Sequence, residues 1–358
     1  MEVEYPKRSP SNPIETERIQ QAINKGVDYL QNHQYPNGEF CCYYSPDDAM
    51  QEWCVPDSSI FPTALINTCL LSIKDHQGAK EIFKRSICFF QYQMMRGGVM
   101  NYFTKWSSLF TLLPPDIDDT IFVHSFLKSQ NIKTPDPSPL ILINRSRNGL
   151  FYTWFTLRFT NTLNKTYWKI LLREFKNPIR SLFFWKHYGC SRNDIDGVVN
   201  ANVLAYFGLN DATKPIINYL LDILNTGKES ECDNWYLNPL TFYYPLARNI
   251  KNGIDSLNSA KPIIINRILK YVKPDGRVGD SALETALAIT TFINLNYNGE
   301  QLHLAAFYLI DSQKETGEWP RWIYYYGDRN KTAGFGSEEL TTGFCIEALA
   351  KYREFVKT

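Results

Sequence analysis

The stretch Tyr308-Leu309-Ile310-Asp311-Ser312-Gln313-Lys314-Glu315-Thr316-Gly317-Glu318-Trp319 reads as the apolar end of a helix followed by Gln-x-x-x-Gly-x-Trp. Its glycine stands where a helix stops and the chain turns, a place that favours a left-handed backbone. Weaker copies recur at Tyr29-Leu30 through Gln34, Gly38 and Phe40, and at Phe89-Phe90 with Gln93, Gly97 and Gly98. Others stand at Asn148-Gly149-Leu150-Phe151 and at Tyr271 with Asp275-Gly276. A unit that returns along the chain marks an architecture built by repetition.

After each turn comes a polar start leading into an apolar helix rich in Thr, Ala and Leu. Six are readable: Ser58 to Ile73, Asp116 to Ser129, Asp194 to Leu209, Asn238 to Ile250, Ser281 to Leu295, and Ser337 to Leu349. Ser281-Ala282-Leu283-Glu284-Thr285-Ala286-Leu287-Ala288-Ile289 shows the type, apolar on nearly every side, as expected of a helix buried on both faces. The helices that precede them are amphipathic. Ile19, Ile23, Val27 and Leu30 share one stripe, and Glu, Gln and Lys occupy the other. Six amphipathic outer helices alternating with six apolar inner ones describe an all-α fold, an (α/α)6 double-helical barrel. Such a barrel fills residues 17–358 as one domain. Residues 1–16, with Pro6, Pro10 and Pro13, read as an irregular N-terminal arm. The stretch from about 130 to 190 departs most from the pattern.

The chain has 358 residues, with 38 basic and 37 acidic side chains, so its net charge of +1 argues against a nucleic-acid partner. Aromatics make up 15%, which suits either a large packed core or a cavity walled by rings. The eight cysteines form no C-x-x-C pair and no metal-finger spacing. The N-terminus shows no signal-peptide apolar region, and no apolar run approaches the roughly 20 residues needed to span a bilayer. These features lead to the expectation of a reduced, cytoplasmic protein.

The second inner helix opens on Asp116-Ile117-Asp118-Asp119-Thr120, after Pro114-Pro115. Carboxylates this crowded cannot all ionise once water is excluded, so one keeps its proton. A protonated carboxyl among aromatic rings can protonate a base as weak as an alkene. The competing reading is a helix cap, since aspartate oxygens accept the unpaired N–H groups of a first turn.

The acidic stretch resembles the Asp-x-Asp-Asp-Thr motif of class II terpene cyclases, the squalene–hopene cyclase and copalyl diphosphate synthase type. The repeats, most strongly the one ending at Trp319, resemble the QW repeats of the same superfamily. The resemblance gives Asp118 the role of general acid and makes Asp116 and Asp119 the residues that position it. Asn202, in Asp196-Gly197-Val198-Val199-Asn200-Ala201-Asn202, takes the place of a histidine that holds the acid in hopene cyclases; a helix cap by Asn200 or Asn202 is the alternative. Trp235 resembles the first residue of a Trp-x-x-Asn segment, and Phe335 stands in Gly334-Phe335-Gly336. With Tyr102 and Phe103 they are candidate cavity aromatics that would stabilise carbocations, by about 0.5–2 kcal/mol per contact. Ordinary core packing explains the same residues. At the position of a later hopene-cyclase aromatic stands Glu339, which argues against a hopene-like product.

The family implies an isoprenoid substrate: farnesyl or geranylgeranyl diphosphate first, squalene or a prenylated aromatic as the alternative. It implies no cofactor for the cyclisation, and Mg2+ beside the substrate if that substrate carries a diphosphate. Arg321, Arg329 and Lys331, beside the aromatic segment Trp322 to Tyr326, are the candidates for meeting such a head group, and Trp322 is a further candidate for binding substrate. Arg180-Ser181-Leu182-Phe183-Phe184-Trp185-Lys186 reads either as a peripheral membrane contact or as a buried outer helix. Most class II cyclases set their cavity between two barrels. A single one implies closure by its own loops, by a homodimer or by a partner barrel. A zinc-dependent prenyltransferase subunit shares the barrel, but none of the five histidines stands in an Asp-x-Cys context. A non-catalytic barrel that binds a lipid or a protein is the third reading.

Overall fold

The computed structural model describes residues 13–158, 160–179, 185–186 and 191–357. The first helix, α1 (Pro13–His33), begins inside the segment expected to be an arm, because proline is well suited to a first helical turn. Its stripe of Ile19, Ile23, Val27 and Leu30 is fully buried. Next come the short strands β1 (Cys42–Ser45) and β2 (Val55–Asp57), then α2 (Phe61–Leu70) and α3 (Gln77–Gln93). Helix α4 (Ile117–Ser129) carries the acidic motif, and two short helices follow, α5 (Ser138–Ile143) and α6 (Lys165–Leu171). Helices α7 (Gly197–Phe207), α8 (Lys214–Thr226), α9 (Pro239–Lys251), α10 (Ala260–Leu269), α11 (Ala282–Asn294) and α12 (Glu300–Ser312) alternate between apolar and amphipathic. Strands β3 (Ile323–Tyr326) and β4 (Gly334–Gly336) precede the last helix, α13 (Glu338–Phe355).

Helices α2, α4, α7, α9, α11 and α13 pack each against the next, and α13 returns to α2, so the six apolar helices close a ring. Every residue of α11 is buried, as its sequence demands. Outside the ring, α1 packs on α13 and α3, α8 on α7, α10 on α9, and α12 on α11. The fold is of the α/α-barrel type. Its outer layer is uneven: between α4 and α7 stand the short helices α5 and α6, of six and seven residues.

The repeat has a physical role that the structure makes plain. In the last copy the Gln313 amide donates to the Gly317 carbonyl at 2.7 Å and to Ala22 O, on α1, at 2.9 Å. The indole N–H of fully buried Trp319 donates to Leu309 O at 2.7 Å. Gly317 has φ +104°, and a Cβ there would stand 2.4 Å from the Lys25 carbonyl of α1. In the first copy Gln34 bonds the Gly38 carbonyl at 3.0 Å and Ile82 O of α3 at 3.2 Å. These two glutamines thus tie their own turns to the next outer helix, and the last copy ties the turn after α12 back to α1.

One element departs from the all-α expectation. The four strands form an antiparallel sheet in the order β2-β1-β4-β3, with Tyr44 opposite Phe335 and Tyr43 opposite Gly336. Aromatic residues suit an extended, half-buried backbone. The sheet joins two parts of the chain nearly 300 residues apart, as the pairing of Tyr43 with Gly336 shows. Of the segment read either as a membrane contact or as a buried outer helix, residues 180–184 lie outside the described residues. Trp185 is buried and packs edge-on against Trp154, 5.7 Å between ring centroids. Among the described residues no helix is long and apolar enough to cross a membrane.

Candidate functional site

Four inner helices begin with a side chain that caps their first turn. Asp116 accepts from Asp119 N, Asn238 from Leu240 N, Ser281 from Glu284 N, and Ser337 from Leu340 N. A cavity enclosing about 790 Å³ of atom-free space, the open water at its mouth included, lies against the first turns of α2, α4 and α7. Asp116, Asp118 and Asp119 line it with Thr153, Phe61, Tyr102, Phe103, Trp154, Trp235, Tyr236, Tyr325, Tyr326 and Phe335. Strands β3 and β4 supply one wall, where Tyr325 and Phe335 stack at 5.2 Å.

The three carboxyls divide the available donors unequally. Asp116 takes the helix N–H of Asp119 at 2.8 Å, so the capping reading holds for this residue. Asp118 takes side-chain donors instead. Asn202 donates from Nδ2 to Oδ1 at 3.0 Å, and the Tyr236 hydroxyl donates to Oδ2 at 2.8 Å. The orientation of the Asn202 amide is fixed from behind. Arg248 Nη2 donates to Asn202 Oδ1 at 2.6 Å, and a guanidinium can only donate, so the NH2 group must face Asp118. Asn200 is structural: its side chain bonds both backbone groups of Phe151.

Burial raises all three carboxyls. Asp116 is pushed up to about 7, chiefly by desolvation. Asp119 is pushed well above its ordinary 3.8 by desolvation and by the charge of Asp116 beside it. Asp118 is also raised by desolvation, but Asn202, Tyr236 and the charge of Arg248 oppose the shift. A second pair lies behind the wall. Asp196, bonded by the Thr153 hydroxyl, is pushed up to about 7 by burial and by Asp194, and Asp233 is raised by burial and by Asp196.

Seven of the ten candidate residues line the cavity: Asp116, Asp118, Asp119, Tyr102, Phe103, Trp235 and Phe335. Asn202 stands directly behind Asp118. Trp322 and Arg329 are elsewhere. Trp322 immediately precedes β3 and packs against the main core. Arg329 reaches outward, where it holds Asn234 and the Glu231 carbonyl. Sequence reading passed over Tyr236, Arg248, Asp57 and Tyr325. The signal for Arg248 was a cation inside an otherwise apolar and aromatic inner helix; Tyr236 lay unweighed beside Trp235. Among the described residues no group of three or more His, Cys, Asp or Glu is arranged to hold a metal ion.

No protein-family model and no curated protein matches the sequence. Solved structures do resemble the fold. A variant of the type II terpene cyclase MstE from Scytonema, in complex with geranylgeranyl dihydroxybenzoate as substrate, is 15% identical, with TM-score 0.70 over 95% of this chain and 99% of that one. The ent-copalyl diphosphate synthase from Streptomyces platensis is 15% identical, with TM-score 0.51 over 82% of this chain and 50% of that one. An unsaturated glucuronyl hydrolase specific for heparin is 12% identical, with TM-score 0.53 over 96% of this chain and 98% of that one. The likeness establishes a class II cyclase-like α/α fold, and the hydrolase makes clear that such a fold hosts other chemistry.

Proposed function

We propose that this protein is a class II terpene cyclase built as a single (α/α)6 barrel domain, with Asp118 as the acid that starts the reaction. The observation that carries this reading is the Asp118 carboxyl at the wall of an aromatic cavity, held on one oxygen by Asn202 and on the other by Tyr236. Burial favours its protonated form. The amide, the phenol and Arg248 behind them stabilise the carboxylate left when the proton goes. A group protonated at rest whose conjugate base is well solvated by fixed dipoles is what alkene protonation requires. Asp116 and Asp119 share a proton beside it and withhold a second negative charge from the cavity. The rings of Phe61, Tyr325, Trp235 and Phe335 face the cation as it moves along the chain. This chemistry calls on no cofactor.

The charge of the wall bears on the substrate. Among the described lining residues there is no lysine or arginine, and there are three carboxyls. A diphosphate would meet that wall unpaired, at a cost of several kcal/mol. This favours a substrate with little negative charge, and it puts a polyene or a singly charged prenylated aromatic acid ahead of farnesyl or geranylgeranyl diphosphate. MstE, whose substrate is geranylgeranyl dihydroxybenzoate, supports that order. Mg2+ is required only if a diphosphate head group is used.

The test is incubation of wild type and Asp118→Asn with geranylgeranyl dihydroxybenzoate, geranylgeranyl diphosphate, farnesyl diphosphate and squalene, followed by mass spectrometry of the products. A cyclic product from the aromatic acid, lost in Asp118→Asn, is the expected result. A cyclic product retained in the variant would take the acid role from Asp118. The absence of any product from all four would return the protein to the class of binding barrels.

A further inference from the structure

A further hydrogen-bonded carboxyl stands behind a tyrosine of the cavity wall, at a place the initiating acid does not occupy. The Tyr102 hydroxyl donates to Asp57 Oδ2 at 2.9 Å, and the Tyr325 hydroxyl lies 2.9 Å from the Tyr102 oxygen. Both tyrosines line the cavity. The single hydroxyl proton of Tyr102 is committed to Asp57, so Tyr325 is the donor in the contact between them. One lone pair on the Tyr102 oxygen is then left without a partner. Asp57 is the last residue of β2 and half-buried, and it forms no ion pair among the described residues. Burial raises its carboxyl above the usual range, which makes it a better proton acceptor than a solvated aspartate.

The position suits the end of a reaction better than its start. Tyr236, on Asp118, is 6.5 Å from Tyr325 between ring centroids, and Tyr325 is a further 6.1 Å from Tyr102. Asp57 therefore lies two rings along the wall from the acid. Around Tyr102 the wall is aromatic, formed by Phe103, Tyr325 and Phe335. Few groups there can hold a water molecule near a cation.

We infer that Tyr102, backed by Asp57, takes the proton that ends the cyclisation, so that the product is a cyclic alkene and not an alcohol; this rests on the cyclase reading above. A C–H bond next to the last cationic carbon breaks, and its electron pair becomes the new C=C bond. The proton goes to the Tyr102 oxygen as the proton of that hydroxyl passes to Asp57 Oδ2. Asp118 has lost one proton and Asp57 has gained one, and the product is an isomer of the substrate. Asp57 is partly exposed and returns its proton to water, and Asp118 takes one back before the next turnover.

The experiment compares wild type, Asp57→Asn and Tyr102→Phe with geranylgeranyl dihydroxybenzoate in water enriched in oxygen-18. It reads the ratio of products, which does not depend on how far the rate falls. Wild type gives a cyclic alkene without solvent oxygen. In both variants the share of that alkene drops at least about threefold, in favour of other alkene isomers or of alcohols that carry the label. Tyr102→Phe keeps the ring and decides the matter if Asp57→Asn lowers the melting temperature. An unchanged ratio in a folded Tyr102→Phe overturns the inference and leaves Asp118 untouched, as does labelled alcohol as the main wild-type product. A wild type that cyclises neither this substrate nor the other three named above removes the cyclase reading, and this inference with it.

Discussion

Replacing Arg248 with Met should weaken the acid without touching it. The guanidinium bonds Asn202 at 2.6 Å, and Asn202 bonds Asp118 at 3.0 Å, so the cation stands roughly 7 Å from the carboxyl. At an effective dielectric of about 20 that separation gives about 2 kcal/mol of attraction for the ionised form. The attraction is absent while Asp118 is protonated and grows as the proton leaves. Part of it is felt at the transition state, so the plateau of kcat should fall between about 5- and 30-fold. The pH dependence has a definite sign. Arg248 opposes the upward shift of the Asp118 pKa. Its removal lets that pKa rise, the active protonated form survives to higher pH, and the alkaline limb of kcat moves upward as its plateau drops. Arg248→Lys, which keeps the charge, should restore the limb more fully than the rate. Single-turnover rates across pH, with whichever substrate wild type cyclises, are the assay. A uniform loss at every pH with the limb unmoved would reduce Arg248 to a packing residue against Phe122 and Tyr244, over whose rings it lies at 5.5 and 5.8 Å.

Asp116 and Asp196, ordinarily near 3.8, are held up to about 7 in the folded chain. Between those values the folded state keeps protons that the unfolded chain releases, so the stability they contribute is full below about pH 4 and is lost as pH rises through about 7. Asp196→Asn should flatten that slope, gaining on wild type in urea midpoint at pH 8 relative to pH 5; equal slopes would mean that Asp196 ionises freely. Gly317→Ala should cost at least about 3 kcal/mol, because strain at positive φ adds to a Cβ held 2.4 Å from the Lys25 carbonyl. Gly227→Ala, at φ +70° with open space around it, should cost only about 1 kcal/mol, and a melting comparison that ranks the two equally would contradict the repeat contact.

How much of this was legible depended on whether a signal was local. The six inner helices announced themselves, because burial on both faces leaves an apolar run that needs no partner to be recognised. The Gln-x-x-x-Gly-x-Trp turn was legible for the same reason, and Gln313, Gly317 and Trp319 each serve a contact within it. Asn202 was found through a resemblance, but its orientation was not, because that is set by Arg248, 46 positions further on. The sheet was missed because its strands are three or four residues long, too short for an alternating pattern to stand out, and because its central pairing, β1 with β4, runs across nearly the whole chain. Trp322 and Arg329 were drawn in by adjacency: they flank Tyr325 and Tyr326, which line the cavity, but both lie outside the strand, where Trp322 packs against the core and Arg329 reaches outward.

The first turn of a helix is an unexpected place for a neutral carboxylic acid, since the positive end of the helix favours the ionised form by about 0.3–1 kcal/mol, and by about 2 kcal/mol in partly buried settings. Desolvation of a carboxylate costs several kcal/mol and opposes it. The structure resolves the contest through its allocation of donors. Asp116 caps the turn and takes the Asp119 N–H, and among the described residues no backbone N–H bonds the Asp118 carboxyl. The dipole is therefore spent mainly on the residue that anchors the turn. Asp118 is left with burial to hold its proton, and with an amide and a phenol that favour the carboxylate without carrying charge themselves. The full positive charge that acts on it is set one residue back, in Arg248. A lysine or arginine in direct contact would ionise Asp118 at rest, and no partner at all would leave it too weak an acid; a cation behind an asparagine lies between these extremes.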